Sequence, residues 1–150
     1  MPKCFFAEEI KKEIGITYWN AEVIEQPEYI VTVPSNLVFT KKNYLLNTTV
    51  TMFDLNGKIY SGDKSVQVNV SSKNNFKLTQ SDDFLSIAYR LVRFDSEGNE
   101  QGVTNVANQL GTLSKTQPMI NGYARLGSTS VAEKNIGIYE DLLTYTIKPL

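Results

Sequence analysis

Histidine is absent from this chain, and cysteine and tryptophan occur once each, as Cys4 and Trp19. Without histidine there is no usual general base, no usual metal ligand, and no Ser-His or Cys-His dyad. Most familiar hydrolase chemistries are thereby excluded. A lone cysteine closes no disulfide within the chain and assembles no thiolate metal site. Cysteine poverty suits both a cytosolic protein and an exported bacterial protein that does without disulfides. Charge of one sign is also lacking: the formal net charge is −1, which gives no electrostatic footprint for nucleic acid or an acidic membrane surface. No apolar run approaches the ~18 residues that a membrane-spanning helix needs. Fixed-period repeats and low-complexity tracts are missing too, which speaks against a solenoid or a long disordered tail.

What is present is alternation. The 150 residues fit one domain with a core of its own, read as an N-terminal segment over 1–14 and a single β-domain over 15–150. Residues 1–14 contain "MPKCFFAEE", which has the look of an export-signal remnant without its hydrophobic centre, and "EEIKKE", the one stretch of helix-like composition. From Ile16 to Ile24 a strand is expected that stops at Pro27. "EYIVTVP" puts Tyr29, Val31 and Val33 on one face, and Pro34, Ser35 and Asn36 turn the chain into a further strand, "LVFT". Asn56-Gly57 is a hairpin signal. Val66, Val68 and Val70 alternate with Gln67, Asn69 and Ser71, as in a sheet with one wet face. Leu85, Ile87, Tyr89 and Leu91 line one face of the next strand, which ends in a turn at 95–99. The signal weakens over 103–114, read as a loop with one short strand, and returns over 119–128. In the closing "GIYEDLLTYTI", Leu143, Tyr145 and Ile147 share one side. Many short strands and repeated turn signals predict an all-β protein, an antiparallel two-sheet immunoglobulin-like sandwich.

The segments "YIVTVPSNLVF", "KSVQVNVSSKNNFKLT" and "GIYEDLLTYTI" occur in an order and spacing that resembles extracellular β-sandwich surface proteins of Gram-positive bacteria, the WxL-type domains and fimbrial subunits. The resemblance covers 29–147. The Trp-x-Leu signature of the WxL domains is missing, and Tyr145 stands where a tryptophan or phenylalanine is often found. The resemblance implies a secreted or wall-associated Ig-like module whose last strand follows a Gly-x-Tyr turn, here Gly137 and Tyr139, and is central to the sandwich. Some surface proteins of this kind carry a Lys-Asn isopeptide crosslink, but the Pro-x-Gly-Tyr type motif that often accompanies it is not found.

Acidic residues are the only catalytic equipment in view: Asp82 with Asp83, Glu97 with Glu100, and Glu140 with Asp141. Paired carboxylates could cleave glycosides, yet neighbouring strand carboxylates point to opposite faces, so solvated turn residues are the expectation. "DLNG" and "DSEGNE" each contain part of a calcium loop without its spaced ligands or distal glutamate, and turns are expected there. Asn47-Thr48-Thr49 and Asn69-Val70-Ser71 match glycosylation sequons and receive no role. Tyr18 and Trp19 in "TYWN" are the candidate ligand-binding residues, since exposed aromatics stack on sugar rings or anchor a protein partner. The expectation is a non-enzymatic, cofactor-free structural or adhesive module, secreted or associated with the cell surface. It would act on a surface protein or glycan through strand edges and loops, with self-assembly by N-terminal strand addition as one mode. The alternative is a carbohydrate-binding module using exposed aromatics.

Overall fold

The computed structural model describes the backbone of residues 3–6 and all of residues 28–40, 42–80, 86–127 and 138–150. Among them the chain forms twelve strands and no helix: β1 (Lys3–Phe6), β2 (Ile30–Val33), β3 (Leu45–Asn47), β4 (Val50–Phe53), β5 (Val66–Ser72), β6 (Lys77–Thr79), β7 (Ser86–Phe94), β8 (Glu100–Val103), β9 (Gln109–Leu113), β10 (Met119–Ile120), β11 (Gly122–Leu126) and β12 (Leu143–Pro149). The protein is all-β, and every pairing between these strands is antiparallel. The expected helix-like stretch "EEIKKE" and the strand expected from Ile16 to Ile24 lie outside the described residues.

The strands form the orders β1-β2-β4-β10, β3-β11-β7-β6 with β8 also on β7, and β12-β5-β9. The first two are joined by one long pair. Leu46 faces Ala124 in β3 and β11, Val50 faces Ile120 in β4 and β10, and between them Thr48 N–H donates to the Gly122 carbonyl at 3.0 Å. The register is continuous, but the outer neighbours change from β2 on β4 to β7 on β11. At the crossing a Cβ on Gly122 would stand 2.6 Å from the Val92 carbonyl oxygen and 2.9 Å from Thr48 Oγ1, so only glycine fits.

Period-two alternation accounts for the core. Val66, Val68 and Val70 of β5 are buried while Gln67, Asn69 and Ser71 are half-buried; Tyr29, Val31 and Val33 are buried around β2, and Ile87, Tyr89 and Leu91 along β7. These join Val50, Met52, Leu113, Ile120, Ala124 and Tyr145 in one contiguous apolar cluster fed by every sheet. Burying side chains of this size stabilises the fold by about 1.5–3 kcal/mol each before conformational entropy is subtracted.

Several expectations need correction. "LVFT" forms no strand; Phe39 instead leans on the core with its ring 5.9 Å from that of Tyr89. The stretch 103–114, expected to be a loop with one short strand, holds β9, which buries Leu110 and Leu113 against β5. Gly111 pairs with Val68, and the register shifts between Val68 and Asn69, where β9 carries Leu110 as an extra residue. The last strand is not central: β5 is, and β12 lies at an edge of its sheet among the described residues.

Two hairpin turns share one construction. Asp54 Oδ1 accepts the N–H groups of Asn56 and Lys58 at 2.8 and 2.9 Å, and Asp95 Oδ1 accepts those of Glu97 and Asn99 at 3.0 and 2.8 Å. Both place a glycine, Gly57 or Gly98, at φ +82°. The Asn56-Gly57 signal therefore marks a hairpin, but only its glycine takes a positive φ.

Candidate functional site

Beyond the apolar core, the most densely connected polar side chains meet where β5 ends, β12 begins and the β8–β9 loop turns. Asp141 is the hub. Its Oδ2 accepts hydrogen bonds from Ser72 Oγ at 2.5 Å and from the Tyr89 hydroxyl, and its Oδ1 accepts from the backbone N–H groups of Asn74 at 3.0 Å and Leu142 at 2.8 Å. Ser72 Oγ in turn accepts the Phe76 N–H at 2.6 Å. The Ser72 main chain is clamped by a single side chain: Asn105 Oδ1 accepts its N–H at 2.7 Å, and Asn105 Nδ2 donates to its carbonyl at 2.9 Å. Asp141 and Ser72 together thus tie the segment before β12, the β5–β6 turn, β7 and the β8–β9 loop.

The β5–β6 turn carries the backbone cost of this arrangement. Asn75 and Phe76 have consecutive positive φ values of 55° and 60°, a pairing typical of primed hairpin turns, where an aromatic residue is unusual. Phe76 is held there by the Ser72 bond and by an edge-on contact with Tyr89, with ring centroids 5.8 Å apart.

The electrostatics follow from the packing. Burial pushes the Tyr89 hydroxyl well above the ordinary tyrosine value, and its hydrogen bond to the Asp141 carboxylate pushes the same way. Burial alone raises Tyr145, whose hydroxyl is enclosed with no hydrogen-bond partner among the described residues. Ser72 is buried, its hydroxyl proton is given to a carboxylate and its oxygen accepts an amide N–H. These bonds tie the end of β5 to the segment before β12 and to the β5–β6 turn.

On the segments that carry this anchor, three aliphatic side chains are exposed among polar residues such as Lys73, Asn105 and Glu140. Val106, beside Asn105, is 96% exposed; Ile138 and Leu142, flanking Asp141 in sequence, are 76% and 60% exposed. The Leu142 carbonyl accepts the Lys73 N–H at 2.9 Å and Glu140 bridges to Thr79, which fixes this segment against β6 and the β5–β6 turn.

Of the residues singled out from sequence, Tyr18, Trp19, Asp82, Asp83 and Gly137 lie outside the described residues. Glu97 and Glu100 sit on the exposed β7–β8 hairpin, where Glu100 accepts the Tyr123 hydroxyl at 2.9 Å. Glu140 is exposed while Asp141 turns inward, as strand alternation requires, so Asp141 is not the solvated turn residue expected of it. Its parity was the available signal, since Asp141 shares a face with Leu143, Tyr145 and Ile147. In "DLNG" and "DSEGNE" the carboxylates of Asp54 and Asp95 bind turn amides, and no group of three or more acidic, histidine or cysteine side chains suited to a metal occurs among the described residues. An open depression of about 480 Å3 beside Asp95, Met119 and Asn121 lies apart from the Asp141 cluster. No helix among the described residues is long and apolar enough to cross a membrane.

Strand content, antiparallel pairing and a part-buried polar anchor beside exposed aliphatic side chains define an all-β module. No protein-family model, no curated protein and no solved structure matches the chain.

Proposed function

We propose that this chain is a non-enzymatic structural or adhesive module, an Ig-like antiparallel sandwich that works secreted or on a bacterial surface and contacts its partner through loop tips. The observation that carries this reading is the set of exposed aliphatic side chains, Val106, Ile138 and Leu142, on segments pinned from beneath by Asp141 and Asn105. Apolar side chains displayed on pre-ordered loops lose little entropy on binding, and this favours a protein surface as partner. The absence of histidine and the engaged hydroxyl of Ser72 fit a role without catalysis.

Beads coated with the protein, passed over immobilised extracellular proteins and glycans, provide the test. Retention on a protein surface that falls roughly tenfold or more when Val106, Ile138 and Leu142 are changed together to aspartate, with the fold intact, supports the reading. Retention unchanged by those substitutions refutes it. Retention on a glycan with a saccharide-dependent change in Trp19 fluorescence would favour the carbohydrate-binding alternative built on Tyr18 and Trp19.

A further inference from the structure

The outer edge of β12 is a self-complementary surface. Among the described residues β12 pairs on one side only, with β5, from Leu143 opposite Ser72 to Pro149 opposite Val66. The direction of its backbone groups follows from the bonds at its two ends: the Leu142 carbonyl accepts Lys73 N–H, and Leu150 N–H donates to the Ser65 carbonyl. Both belong to the same register, so the even-numbered residues turn their N–H and C=O groups toward β5. By the alternation of an antiparallel ladder, Leu143, Tyr145 and Ile147 turn theirs outward. Pro149 fits this parity, because its missing N–H falls on the outward side, where an edge strand tolerates proline.

Exposed edges are normally blunted by charges, proline, bulges or shortness. Lys148 and Pro149 blunt only the end of β12. The preceding Leu143-Thr144-Tyr145-Thr146-Ile147 is uncharged, free of glycine and proline, and rich in β-formers. It also reads nearly the same in both directions about Tyr145.

We infer that this edge pairs with the same edge of a second copy of the chain, antiparallel about a two-fold axis through Tyr145. In that register Leu143 faces Ile147 of the second copy, Thr144 faces Thr146, and Tyr145 faces Tyr145. The facing Leu143–Ile147 and Tyr145–Tyr145 pairs are those with outward N–H and C=O groups, so each exchanges both backbone hydrogen bonds. Apolar side chains meet on the inner face and threonines meet on the outer face, both favourable cross-strand combinations. The antiparallel sense also brings the acidic end of one strand, at Glu140, alongside the Lys148 end of the other. The result is an isologous contact joining two three-stranded sheets into one continuous sheet. It stands on strand geometry and needs no adhesive role.

Charge exchange at two exposed positions tests the register. Thr144 and Thr146 are both exposed, so substitutions there leave the core alone. Thr144→Lys with Thr146→Lys sets like charges opposite each other, whereas Thr144→Lys with Thr146→Glu sets opposite charges face to face. Sedimentation of the full chain across a concentration series should show a dimer for the unsubstituted protein and for the Lys/Glu variant, and folded monomer for the Lys/Lys variant, its dissociation constant raised by about tenfold or more. A monomer at every concentration for the unsubstituted protein overturns the inference. So does equal association of the Lys/Lys and Lys/Glu variants, which would place the contact elsewhere. Neither result touches the bead assay, which reads a different surface.

Discussion

Tyr89 and Tyr145 both lie in the core with different obligations: one hydroxyl is bonded to Asp141 and the other has no partner among the described residues. Tyr89→Phe leaves the Asp141 carboxylate one donor short and should cost about 1–3 kcal/mol in denaturant unfolding. Tyr145→Phe removes a hydroxyl that gains nothing from burial and should be neutral or stabilising by up to about 1 kcal/mol. Both hydroxyls titrate above the ordinary value, so the folded state holds protons that the unfolded chain releases. Stability should therefore be level with respect to these groups below about pH 10 and fall as pH rises beyond it, less steeply in Tyr145→Phe. Thermal melts between neutral pH and pH 11 read that difference. Asp95 works in the other direction. Its carboxyl is held below the usual carboxylate range, first by the Asn99 backbone N–H. The contribution is present above about pH 4 and lost as pH falls through the depressed value, so the protection of the Glu97 and Asn99 amides, relative to their intrinsic exchange rates, should fall in acid before the core melts. Burial at this scale was legible where alternation was clean, as at Val66, Val68 and Val70. The role of Asp141 was not, because its Asn74 and Tyr89 partners lie 67 and 52 positions away in sequence.

Strands with uninterrupted alternation, β5 and β7, could be read directly, and so could the turns at Asp54 and Asp95. Where the signal was weaker the reasons are physical. β9, expected only as one short strand within 103–114, contains Gly111 beside a bulge, which interrupts the period-two signal. The edge position of β12 is a matter of which distant strands reach it, and a local pattern carries no such information. Gly122 falls in the stretch expected to regain strand character, but its special role is not local: it lies where the β3–β4 and β10–β11 pair passes between sheets and the Val92 carbonyl leaves no room for a Cβ. Gly122→Ala should therefore destabilise by about 1–3 kcal/mol, more than an alanine at the exposed Gly102 of β8, and paired denaturant titrations would show the gap.

For the molecule as a whole, the all-β class was legible because alternation and turn signals recur along the chain. How the sheets join was not, since that depends on a register running through two pairs of strands. Lys3–Phe6 pairs with β2 of its own chain, Lys3 opposite Val33 and Phe6 opposite Ile30, so N-terminal strand exchange between copies would replace this contact with an equivalent one. The central structural claim is that Asp141 pins the end face on which the exposed aliphatics stand. Asp141→Asn keeps the shape but sets an amide N–H2 where the Ser72 and Tyr89 hydroxyls donate, at a cost of about 1.5–3 kcal/mol. The measurement that tests the claim most directly is residue-resolved amide hydrogen exchange on this variant. The account predicts faster exchange at Ser72, Asn74, Phe76 and Leu142, with β2 and β4 still protected. Unchanged exchange at those amides, or an equal loss across every strand, would contradict it.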